Sequence, residues 1–191
     1  MCLTPFHYGV AYLIKRIYRK LNLAGLAVGA VIPDIEVPIT IAYLIWIRGI
    51  PLQSIPTQIE PRTLYVLHVP LYGIPLATVL GVLAVVVVYR PIVMRMLGMR
   101  TVPEELTLSP NLVVSVFVGV MSHLLVDALH HSYNPLLKPF YTGSVDVLVL
   151  FGNHALADPI VQTVCAALTI AVVVMELLRG REGLRRLALG W

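Results

Sequence analysis

Three long stretches of this chain carry no formal charge: Thr63 to Tyr89, Leu106 to Val126 and Pro159 to Met175 contain no Asp, Glu, Lys or Arg. A helix needs about 20 predominantly apolar residues to cross a bilayer, with a range of roughly 17–25. Two of the stretches meet that length and the third sits at its lower limit. Because lipid cannot satisfy an open backbone, only helices and closed barrels span membranes. The Val-rich "VLAVVVVY" therefore reads as membrane helix despite its strand propensity. Composition agrees: 58% of the residues are hydrophobic, only 13% are charged, and the mean hydropathy is +0.85. The expected fold is all-α, an integral membrane helical bundle of about three full spans plus short amino-terminal helices. It forms one domain over residues 1–191.

The expected spans run from about Leu71 to Tyr89, Asn111 to His130 and Pro159 to Leu178. The amino-terminal part predicts two shorter helices, from about Pro5 to Lys20 and from Leu21 to Ile32, where Pro33 ends the second. A Pro-rich linker around "GIPLQSIP" follows, with Arg48 and Arg62 on either side. "KRIYRK" lies after the first apolar residues, the reverse of a secretory signal, so no cleaved leader is expected. Cys2 and Cys165 are too far apart in sequence to suggest a zinc knuckle or a disulfide framework.

Basic residues gather in three groups: Lys15, Arg16, Arg19 and Lys20; Arg90, Arg95 and Arg100; and Arg179, Arg181, Arg185 and Arg186. Loops rich in Lys and Arg stay cytoplasmic. With all three groups inside, the spans alternate in direction without strain. No nucleic-acid-binding motif accompanies the basic groups, so a membrane surface is their expected partner and nucleic acid is not.

All six histidines, and Asp34, Asp127 and Asp158, then fall toward the opposite, non-cytoplasmic side. "MSHLLVDALHH" concentrates them inside an apolar segment. At about 100° per residue, His123 and Asp127 lie roughly 40° apart and His130 about 20° to the other side of His123. The three share a helix face, with His131 at its margin. Ionisable groups in a span are costly and face a protein interior or a wet cavity. Neutral imidazoles with carboxylates are a zinc-type donor set. A bridging carboxylate also suits a pair of metals acting on phosphate esters. Each residue also has a plain reading. Asp34 can cap a helix, His68 alone can be a hydrogen-bonded core histidine, and Asp158 before Pro159 is a helix-start signal. Glu36 adds a second carboxylate beside Asp34 in an apolar setting.

The order "TPFHYGVAYLI", "GAVIPDIE", "RTLYVLHVPLYGIPLATVLG" and "GVMSHLLVDALHHSYNPLLKPF" resembles a family of membrane-bound metal-dependent hydrolases. One branch of that family is described as LexA-regulated inner-membrane hydrolases. The likeness covers roughly Thr4 to Phe140. Glu36 stands where the family's Pro-Asp-x-Asp has its second aspartate, and Val69 follows His68 where the family has Ser. The order of His and Asp is also distantly similar to zinc phospholipase C. The resemblance implies one to three divalent metal ions, zinc foremost, held by His7, Asp34, His68, His123, Asp127, His130 and His154. His131 is the alternative to His130. Asp34 would be a ligand or the general base. The implied activity is hydrolysis of an ester or phosphoester in a lipid or membrane-near small molecule. A metal-ion or proton transporter and a non-catalytic membrane metal protein are the alternatives.

Overall fold

The computed structural model describes residues 6–51, 54, 66–131, 133–141 and 143–190. Seven helices follow one another among them. α1 spans His7–Ile17, α2 Leu23–Gly29 and α3 Glu36–Trp46. α4 spans Pro70–Leu97, α5 Pro110–Ala128, α6 His154–Leu177 and α7 Arg181–Leu189. The described residues contain no strand. α4, α5 and α6 are long and apolar enough to cross a membrane. α2 and α3 together would make a fourth span, bent by 42° at the break between them. The all-α expectation holds.

Local chemistry sets the helix ends. Asn22 caps α2 by accepting a bond from the Gly25 N–H at 2.9 Å. Ser109 caps α5 by accepting from Leu112 N–H, with Pro110 at the first helical position. Pro33 interrupts the path from α2 to α3 and leaves a short 3₁₀ turn, Ile32–Ile35. α1 is shorter than expected because the chain turns at Tyr18, where Lys15 Nζ donates to the carbonyls of Arg19 and Leu21 at 2.7 Å. α4 runs past Tyr89, the expected end, through a π-helical stretch at Ala84–Tyr89. Much of the Pro-rich linker, Arg62 included, lies outside the described residues.

α5 is the axis of the bundle. Of its most apolar stretch 56% is buried, against 22% for α4 and 28% for α6. The latter two turn Leu76, Val79, Leu83, Val164 and Ile170 outward, as lipid-facing helices do. α2 lies against α5 in the same direction at very short range. A Cβ on Gly29 would stand 2.2 Å from the Val116 carbonyl oxygen, and one on Gly119 2.3 Å from that of Leu26. Such reciprocal glycines let membrane helices approach closely. Ser115 ties the other end, accepting from Asn22 N–H at 2.8 Å. This contact brings the carboxyl end of α2 beside His123.

α7 was not expected from the sequence. It follows α6 through Gly180 and is held by two tyrosines. Tyr8 donates to the Leu187 carbonyl at 2.7 Å, and Tyr89 to that of Ala188 at 2.9 Å.

Candidate metal centre

The 3₁₀ turn after α2, the residue two before α4 and the last turns of α5 meet at one end of the bundle. They bring Asp34, His68, His123 and Asp127 together, all buried, with one donor atom from each within 4.8 Å of the others. His68 Nε2 and His123 Nε2 are 3.3 Å apart. Asp34 Oδ1 is 3.6 Å from the first and 3.5 Å from the second. Asp127 Oδ2 is 3.5 Å and 3.1 Å from the same two nitrogens. Donors on a tetrahedron with bonds of about 2.0–2.1 Å stand about 3.3–3.4 Å from one another. The five distances cluster around that edge length, so the four side chains fit a tetrahedral divalent ion.

Both imidazoles are locked with Nε2 pointing inward. His123 Nδ1–H donates to the Ala30 carbonyl at 2.8 Å. His68 Nδ1–H donates to Glu36 Oε1 at 2.6 Å. Glu36 Oε2 in turn accepts from the Val66 and Leu67 N–H groups at 3.0 Å each. A carbonyl or carboxylate on Nδ1 fixes the tautomer whose Nε2 carries the lone pair, and this outer partner is the usual companion of a metal-ligating histidine. Glu36 is therefore a positioning residue. Its sequence signal was the second carboxylate of "PDIE".

Asp127 faces a second group with its other oxygen. His131 Nε2 is 3.5 Å and His7 Nε2 3.6 Å from Asp127 Oδ1. His7 Nε2 and His131 Nε2 are buried without a hydrogen-bond partner. Orphaned buried groups of this kind are costly unless a water or an ion satisfies them. Burial, with His123 close by, lowers the His7 pKa to about 4. Burial likewise lowers that of His131 to about 4. Both rings are therefore neutral at pH 7 and have a lone pair to give. His68 behaves oppositely. Burial works against its charge, yet hydrogen bonds to Asp127, Asp34 and Glu36 raise its pKa well above the usual histidine value. The carboxylates create a place that draws positive charge.

The remaining expected ligands lie around this core. His130 sits beside His131, donates from Nδ1 to the Val126 carbonyl at 2.9 Å and turns Nε2 toward Asp158 Oδ1 at 3.7 Å. Asp127, His130 and His131 also present donor atoms within 4.8 Å of one another. His154 stands apart from the cluster, with Nε2 3.7 Å from Asp146 Oδ2 and Nδ1 3.4 Å from the His130 carbonyl. Asp146, without an evident partner in sequence, also accepts a bond from Ser144. Asp158 accepts from Gln162 at 2.8 Å.

The stretch from Tyr133 to Leu136 covers one face of the cluster. Between it and His68, Asp127 and His131 is a cavity of 10 Å³, about the room one water needs. Asp34 also borders a hollow of 160 Å³ lined by Val31, Ile32, Ile35 and Pro38.

No curated protein and no solved structure matches the chain. One family profile does match, over residues 1–186, a range that takes in every residue of the cluster. The chain belongs to that family, described as Domain of unknown function (DUF4184).

Proposed function

We propose that the chain is a metal-dependent hydrolase that cleaves an ester or phosphoester in a membrane lipid or a membrane-near small molecule. One observation carries the reading. Asp127 turns one oxygen to His68 and His123 and the other to His7 and His131. A single carboxylate shared between two donor groups would suit a pair of metal ions. The first set has four protein donors and is closed. The second has three, Asp127, His130 and His131, and so leaves a position open, as catalytic zinc sites do. When bound there, zinc supplies Lewis acidity and an activated water.

The chain's own residues do the rest. Asp34 turns Oδ1 to His68 and His123, and its other oxygen accepts the proton of the attacking water. The water oxygen bonds to the acyl carbon or phosphorus, the bond to the leaving oxygen breaks, and the proton passes to that oxygen. Tyr133 to Leu136 cover the His131 side, exclude bulk water from it and leave room there for about one water. The motif order shared with membrane-bound metal-dependent hydrolases supports the same reading. The basic groups at the far end of the helices support a cytoplasmic-membrane location with the cluster toward the non-cytoplasmic side.

The test is turnover in liposomes. Zinc-loaded protein should hydrolyse one of a panel of lipid esters, phospholipids and chromogenic phosphodiesters. Chelation and Asp127→Asn should each abolish that turnover. Zinc or proton flux without cleavage of any member would replace the hydrolase with a transporter.

A further inference from the structure

A hollow larger than either of those at the cluster lies beside it. A cavity of 790 Å³ is walled by α1, α2, α4, α6 and α7. Val28, Val31, Ala84, Val88, Ile92 and Val173 give its character. The few polar groups on its wall are committed elsewhere. The Tyr8 and Tyr89 hydroxyls donate to carbonyls of α7. Thr169 Oγ1 donates to the Phe6 carbonyl at 2.7 Å and accepts from Gly9 N–H at 2.9 Å. Water gains nothing there, since a bound water needs two to four polar partners. A space of this size lies within the range of ligand pockets, roughly 300–1,000 Å³.

Two features say what fills it. First, the walls belong to helices of membrane-spanning length and hydropathy, α4 and α6, so hydrocarbon chains surround the cavity. Second, the cavity adjoins a hollow that reaches the cluster. Val31 and Ile32 line both it and the smaller hollow that Asp34 borders. The two hollows adjoin at these residues, apolar along the bundle and acidic at the Asp34 end. An amphiphile fits that profile: a long hydrocarbon chain with its oxygen-bearing head at the cluster. The π-helical stretch of α4 contributes Ala84, Val88 and Tyr89 to the wall, and such bulges occur often at functional sites. α7 closes the far end through the two tyrosine bonds.

We propose that this cavity holds one acyl chain of a membrane lipid and delivers the lipid's ester or phosphoester head to the metal centre past Val31 and Ile32. The substrate class this assigns, a long-chain lipid, rests on the hydrolase reading. The binding of the chain does not.

The experiment uses full-length protein in phosphatidylglycerol–phosphatidylethanolamine vesicles doped with a phospholipid carrying a mid-chain diazirine. After photolysis, cross-links mapped by mass spectrometry should concentrate on Val28, Ala84 and Val88. Val88→Trp, at the partly exposed wall, and Ala84→Phe, deeper in it, should lower that labelling roughly tenfold or more by filling the space. Both variants should keep wild-type zinc content, which shows that they fold. Labelling spread evenly over the outward residues Leu76, Val79 and Ile170 would overturn the proposal. So would unchanged labelling in both zinc-replete variants. Concentrated labelling without hydrolysis of any lipid upholds the acyl site and removes only the hydrolase reading.

Discussion

Replacing Glu36 by Gln tests the geometry at its least obvious point. The carboxylate makes three bonds: it accepts from His68 Nδ1–H at 2.6 Å and from Val66 and Leu67 N–H at 3.0 Å. A glutamine has one acceptor oxygen and one donor amide. If its oxygen keeps the two backbone bonds, its NH₂ meets the His68 Nδ1–H head-on. The ring can relieve that clash by moving its proton to Nε2, but Nε2 is then no longer a ligand. If the oxygen keeps His68, the two backbone N–H groups lose their acceptor. Either way the metal site pays through His68, while the side-chain volume stays the same. Loss of such an outer partner costs about 10–100-fold in metal affinity, or about 1.4–2.7 kcal/mol. Competition against a chromophoric zinc chelator in detergent measures it. Glu36→Gln should weaken zinc binding by that factor and leave helix content unchanged. Affinity within about twofold of wild type would refute the positioning role and the inward tautomer of His68.

The two histidines at the rim should separate cleanly. His131→Ala should lower zinc content by about one ion per chain, whereas His154→Ala should leave it unchanged, both read by elemental analysis. The metal-free protein should be most stable near pH 6.5. The lowered pKa values of His7 and His131, about 4 each, mean that the unfolded chain binds more protons than the folded one between about 4 and 6.5. Stability is therefore lost as the pH falls through that window. His68 has a raised value, so its contribution is full below about 6.5 and is lost as the pH rises through its folded value. Thermal melts of chelator-treated protein across pH 4–9 should show the maximum, and zinc should raise the melting temperature most above pH 6.5. A melt that is flat across this range would contradict the burial and pairing described for these rings.

The spans were legible because a bilayer imposes length and polarity directly on the sequence. The His123–Asp127 pair was legible for a related reason: a four-residue spacing on an apolar helix puts both groups on one face. His68 was weak in sequence because its partners are distant. Glu36 lies 32 residues before it and Asp127 well after it, and only the packing of α2 on α5 gathers them. That packing depends on Gly29 and Gly119, two residues whose role shows only once the helices are seen to touch. His131 and His130 could not be told apart by helical angle, since α5 ends at Ala128 and both lie just beyond it. α7 was hidden for another reason. Its arginine-rich sequence reads as a basic tail, and its place is set by the hydroxyls of Tyr8 and Tyr89 in distant helices.

The most direct measurement is the metal content of purified wild-type protein and Asp127→Asn, both expressed with zinc supplied and analysed by inductively coupled plasma mass spectrometry. With Asp127 bridging two donor groups, wild type should hold about two zinc ions per chain and Asp127→Asn less than one. Wild-type protein that folds but carries no metal, or an Asp127→Asn protein with the same content as wild type, would contradict the metal centre.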